Sequence, residues 1–184
     1  MAEYYLISQL PSLDGISENT PLSITEDRFF ELCSGFLGKK AMAELQKAIL
    51  TPPKDGDSSL SGLLATWYEG ERNLRLALAK VRADKMKKAF DMQNAVIPTS
   101  VAKVASEAVE IENPKEAEEF LLSYRLSFLE SLRPIDNFSD DFITYYAIKL
   151  NLLSRMRKFS TELGEKEYGK IYESILKGEN YDRK

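Results

Sequence analysis

Any chemistry in this chain would have to rest on carboxylates, lysine, tyrosine, arginine and a single cysteine, because its 184 residues include no histidine. That absence removes Ser-His-Asp and Cys-His catalysis, the common zinc and non-haem iron sites, and the Glu-x-x-His clusters of di-iron bundles. Acids stand close together at Glu69 and Glu71, Glu118 and Glu119, and Asp140 and Asp141. Residues one or two apart on a helix point in different directions, so none of these makes an acid/base pair. The stretch "DDFIT" lacks the third acid of an Asp-Asp-x-x-Asp magnesium motif, and capping of a helix explains it better. Cys33, within "FFELCSGFL", reads as a small core residue. Neither Gly-x-x-x-x-Gly-Lys nor Gly-x-Gly-x-x-Gly occurs, which disfavours nucleotide hydrolysis. The expectation is a protein that is not an enzyme, with no catalytic residue, cofactor or metal site.

The elements that would carry these residues are helices. Apolar positions recur at three and four, while Gly and Pro fall mainly between the periodic segments. With 43% hydrophobic and 29% charged residues the chain can bury a core of ordinary proportions, and its formal charge of -4 argues against nucleic acid as a partner. The basic run Lys80, Arg82, Lys85, Lys87 and Lys88 has no aromatic residue between Val81 and Met86 to stack a base, and so reads as a solvated helix end. An acidic run from Glu107 to Glu119 holds six glutamates, and pairing with the basic run or docking to a partner stays open. The start lacks a basic leader and a long apolar run, and no segment reaches the length of a membrane span. The expected location is the cytoplasm, with any place at the inner membrane reached only through a complex.

Along the chain, Tyr4 to Leu10 forms either a short helix or an extended lead-in before Pro11. Ser23 and Glu26 suggest a capping box for a helix burying Phe29, Phe30, Cys33, Phe36 and Leu37. A short helix from Lys39 to Leu50 stops at "TPPKDGDSS". A long helix from about Ser59 to Lys87 carries Leu60, Leu63, Leu64, Trp67, Leu74, Leu78 and Val81 along one stripe. Gly70 falls on or beside that stripe, either as a close approach of another helix or as a tolerated defect. Asn113, Pro114 and Glu116 start a further helix that buries Ala117, Phe120, Leu121, Tyr124 and Phe128. Ser139 caps the next, whose stripe is Phe142, Tyr145, Leu152, Met156, Phe159 and Leu163. A last amphipathic helix uses Tyr168, Ile171, Tyr172 and Ile175.

Two of these helices align, either as a duplicated unit or as a chance match between amphipathic helices. At an offset of 78 residues, Thr66, Trp67, Tyr68, Asn73 and Leu74 in "TWYEGERNLRLAL" align with Thr144, Tyr145, Tyr146, Asn151 and Leu152 in "TYYAIKLNLLSRM". Each copy follows a helix rich in Phe, Leu and acids, which suggests an all-α helical bundle built from two related units, residues 1–95 and 96–184, packed as one compact structure. Asn73 and Asn151 would either bridge helices inside the fold or face a partner.

An aromatic pair followed by Asn-Leu resembles the recurring Tyr-Asp-x-x-Asn-Leu helix of the C/d central-stalk subunit of A-type and V-type rotary ATPases. Glu69 stands at the acid position of the first copy and Ala147 at that of the second, and two units are present where the full subunit has three. The whole chain, from "YYLISQLPSL" and "ITEDRFFELC" to "YYAIKLNLLSRMRKF", is similar to a family of short bacterial helical proteins associated with V-type ATPase gene sets. The resemblance implies a non-catalytic coupling or adaptor subunit that links the central rotor stalk to the membrane ring for proton or sodium ion transport. Its partners would be protein subunits of that complex, and Trp67, Tyr68, Asn73, Leu74, Tyr145, Tyr146, Asn151 and Leu152 would serve structure or interface. The competing expectation is a stand-alone helical scaffold or regulatory protein with a different protein partner.

Overall fold

The computed structural model of the chain describes residues 2–17, 20–48, 50–52, 62–92, 95–158 and 161–176. Among these residues the chain is all-α, with eight helices: α1 Ala2–Gln9, α2 Glu26–Phe36, α3 Lys39–Leu45, α4 Gly62–Lys85, α5 Thr99–Glu110, α6 Pro114–Ser131, α7 Asp140–Lys158 and α8 Thr161–Leu176. The lead-in is therefore a helix. Ser59 and Leu60, at the start expected for the long helix, and Phe159, on the stripe expected for α7, lie outside the described residues. None of the helices is long and apolar enough to cross a membrane.

Local chemistry accounts for several of the boundaries. Asn113 caps α6 by accepting the Lys115 N–H at 3.0 Å, Pro114 occupies the first turn, and the Asn113 amide donates to Glu116 at 2.9 Å. Ser139 accepts the Phe142 N–H at 3.3 Å at the start of α7. The cap of α2 is Thr25 and not Ser23: Thr25 is extended at φ -87 and its hydroxyl accepts the Arg28 N–H. Thr25 can do what Ser23 would have done, and the helix begins two residues later with Glu26 and Asp27 in its first turn. Pro98 sits directly before α5, where its fixed φ suits a helix entry. After α4 the chain turns at Lys87 in the left-handed region, φ 54, and Lys88 N–H bonds back to Ala83.

At the centre lies α7, packed against α2, α3, α4, α6 and α8. Its run from Tyr145 to Leu150 is apolar except for Lys149, and Tyr145, Tyr146, Ala147, Ile148, Leu150, Leu152 and Leu153 are all buried. A helix that is apolar all round has no solvated face to offer, so it takes the middle of the bundle. The single stripe expected from spacing was too narrow. The expected members Phe142 and Met156 are only partly buried, whereas Ile143, Ile148 and Leu150 join the core.

The core has two parts, and α4 runs through both. Its first half supplies Leu63, Leu64, Trp67 and Tyr68 to a cluster centred on α7. Its second half supplies Leu74, Ala77 and Leu78 to a smaller one with Val101, Ala105 and Ala108 of α5 and Leu121 of α6. Both clusters draw residues from either side of residue 95, so the two related units share their core.

Gly70 is where the Phe128 side chain of α6 lies against α4. A methyl group there would lie 2.2 Å from Cε1 of Phe128, whose ring is stacked between Trp67 at 5.8 Å and Tyr124 at 6.5 Å. Close approach therefore explains the glycine. Replacing Gly70 with Ala should gain about 1 kcal/mol of helix propensity but cost about 1–3 kcal/mol of overpacking. Urea denaturation should show Gly70→Ala to be destabilising in the intact chain and stabilising in a Phe128→Ala background. A stabilising effect in both would mean that the ring simply swings aside.

Candidate functional site

Six of the eight repeat residues are core. Trp67, Leu74 and Leu152 are fully buried, and Tyr68, Tyr145 and Tyr146 nearly so. The matched tyrosines do matched work: Tyr68 OH donates to the Lys47 carbonyl, and Tyr146 OH to that of Pro11 at 2.8 Å. Each secures a neighbouring loop to its helix. Thr66 and Thr144 donate to the carbonyls four residues earlier, both at 3.3 Å. The half-buried Asn151 donates to the Ala48 carbonyl at 3.3 Å, a bridge inside the fold, and Asn73 is likewise half-buried. The related helices also meet, through a carboxylate oxygen of Asp141 that lies 3.5 Å from the Leu63 N–H at the start of α4. Leu63 and Asp141 are themselves separated by the repeat offset, 78.

The same offset relates the two buried charged residues, Glu71 and Lys149. Each lies four residues after the first aromatic of its copy. Glu71 accepts from Arg125 Nε of α6 at 2.7 Å and lies 3.5 Å from Arg75 Nε of its own helix. Lys149 donates to Asp14 at 2.7 Å and to the Tyr145 hydroxyl at 3.3 Å, and pairs with Glu130 of α6 at 2.7 Å. Tyr145 OH in turn donates to Glu130 at 2.7 Å, and the Arg133 guanidinium lies 5.9 Å over the Tyr145 ring.

These partners set the protonation states. The hydrogen bond from Lys149, and then its charge, hold Asp14 below the ordinary carboxylate range. Burial pushes Glu130 upward, but hydrogen bonds from Lys149 and Tyr145 and the charges of Lys149 and Arg133 outweigh it and leave it low. Burial would depress Lys149, yet its hydrogen bonds to Asp14, Glu130 and Tyr145 raise it above a normal lysine. Burial and the Glu130 hydrogen bond push Tyr145 up to about 12. Elsewhere, burial carries the Cys33 thiol to about 11, which suits its place in the core and suppresses the thiolate.

A cavity of about 260 Å³ opens beside this network, lined among others by Ile7, Leu10, Asp14, Arg133, Phe142 and Lys149. The carboxylates at this end of the bundle are tied to an ammonium group and held ionised. A general acid would need the opposite shift. Sequence reasoning passed over Lys149, Glu130, Asp14, Arg133 and Arg125 altogether. The available signal was a charged residue four positions beyond an aromatic in both copies, on the stripe side of each helix.

Set against protein-family models, curated proteins and solved structures, the chain matches none. Fold and site together define a class: an all-α bundle with two related central helices, each carrying one buried, paired charge.

Two measurements check this site. Arg125→Met leaves the buried Glu71 with only its longer contact to Arg75 and should cost about 3 kcal/mol in chemical denaturation, of which Glu71→Met added to it should recover a large part. The low values of Asp14 and Glu130 mean that their stabilisation is fully present above the ordinary carboxylate range, roughly pH 4, and is lost as pH falls through their folded values. Unfolding curves from pH 6 downward should therefore be flatter for Lys149→Met than for the natural chain. Equal slopes would show that Lys149 does not set the acid response.

Proposed function

We propose that the chain is a non-catalytic coupling or adaptor subunit of an A/V-type rotary ATPase, seated by helix packing between the central rotor stalk and the membrane ring. It would act in proton or sodium ion transport and reach the membrane only through its partners. The observation that carries this reading is the in-register repeat. Tyr68 and Tyr146, and Glu71 and Lys149, take corresponding places on two central helices and are used for internal bracing. An element that transmits torque needs such rigidity and a broad contact surface, and it needs no nucleophile.

A contact surface is available on α8. The apolar residues of this amphipathic helix, Tyr168, Ile171, Tyr172 and Ile175, are exposed at 70%, 40%, 53% and 66%, with Tyr168 and Tyr172 stacked at 6.2 Å. The stripe is amphipathic, and within the described residues the main packing of α8 is along α7. An uncovered aromatic and aliphatic face of this kind suits a protein partner.

Affinity capture of the tagged chain from membranes of a cell that expresses a rotary ATPase should recover stalk or ring subunits. A Tyr172→Asp, Ile175→Asp variant should retain its helicity and lose about tenfold or more of that recovery, the loss of one or more desolvated anchors. Recovery of some other single protein, lost in the same variant, would favour the stand-alone scaffold. Failure to recover any ATPase subunit would sink the coupling role.

A further inference from the structure

The lining of the cavity beside Lys149 is of two kinds, hydrocarbon and aromatic groups from Ile7, Leu10 and Leu13 with Phe142 of α7, and polar groups that include the cations of Lys149 and Arg133. Charge at the polar end can be counted group by group. Lys149, with its side chain 9% exposed, and Arg133 are positive, and Arg133 makes no ion pair among the described residues. Glu130 is negative and fixed, because it is held at 2.7 Å by both Lys149 and Tyr145. Two cations and one fixed anion leave the site one negative charge short. Asp14 supplies it from the loop between α1 and α2.

Asp14 differs from Glu130 in how it is held. Its side chain is 61% exposed against 41% for Glu130, and the Tyr145 hydroxyl that also holds Glu130 does not reach it. The loop itself is anchored by other groups, through buried Leu13 and through the Pro11 carbonyl that accepts from Tyr146. The Asp14 carboxylate can therefore rotate into water without moving the loop, and being largely hydrated already it loses little in doing so. What it leaves behind is a buried ammonium with one partner removed, which is costly until another anion arrives.

We infer that this cavity is a binding site for a small monocarboxylate with an apolar body, and that Asp14 is its built-in stand-in. The ligand carboxylate takes the place of Asp14 between Lys149 and Arg133, an exchange of one negative charge for another. Its hydrocarbon or aromatic body lies against Ile7, Leu10 and Phe142. A neutral ligand leaves the charge uncompensated, an amine adds to the excess, and a dianion oversupplies a partly desolvated site. The site is independent of the coupling role.

Titration of the full-length chain with 3-phenylpropionate, followed by amide and side-chain NMR shifts, tests the assignment. Asp14→Ala removes the competitor and should bind the acid about tenfold tighter or more than the natural chain, with saturable shifts at Tyr145, Tyr146 and Lys149. The alcohol 3-phenylpropanol and the amine 3-phenylpropylamine should not saturate. Adding Arg133→Gln should weaken acid binding about tenfold. Should Asp14→Ala not fold, Asp14→Asn keeps the turn and gives the same comparison. Absence of saturable binding in the folded Asp14 variant, binding of the alcohol as tight as that of the acid, or indifference to Arg133→Gln would each overturn the proposal.

Discussion

A helix wrapped on every side by its neighbours can hold a charge only where other groups have been brought to meet it, and Lys149 on α7 imposes that condition on this bundle. Its ammonium needs partners, and they come from three places: the α1–α2 loop through Asp14, α6 through Glu130, and its own helix through Tyr145. A hydrophobic replacement of similar size could match or exceed the stability of such a cluster. Its contribution lies elsewhere, in the relative placement of its elements, because a shift of α6 by one turn would remove Glu130 and leave the charge stranded. The same groups give the neighbouring cavity its polar end, so the constraint on packing and the potential for binding share one origin.

The second buried charge repeats the device with the sign reversed. Glu71 on α4 occupies the position that Lys149 occupies on α7, and it too is met by α6, through Arg125. One helix thus presents Arg125 to α4 and Glu130 to α7, and lays Phe128 between them on Gly70. This fixes α6 against both central helices at once. The two central helices differ in the sign of the charge that each buries, which favours one arrangement of the bundle over the exchanged one.

A core that spans both repeat units and a last helix that leaves Tyr168, Ile171, Tyr172 and Ile175 uncovered divide the labour between interior and surface. The repeat residues occupy the middle, and the uncovered apolar face lies outside the repeat. The proposed coupling role would draw on that separation, since a part that passes force between partners must not deform where they grip it.

Much of this was legible along the chain, for local reasons. Helical periodicity, the Asn113–Pro114 start of α6 and the Ser139 cap depend on neighbours in sequence, and all are present. Gly70 advertised a close approach without naming Phe128 as its cause. Burial on all sides of α7 and exposure on α8 were not legible, because both helices have apolar residues at helical spacing and only the rest of the bundle decides which is enclosed. The pairing of Lys149 with Asp14 was equally hidden, since it joins residues 135 apart. The sequence by itself determined that the chain would be helical and where α3, α6 and α7 would start. Tertiary structure alone decided which charges would be buried and by whom they would be met, because the cost of a buried charge depends on what surrounds it and not on the residues beside it in the chain.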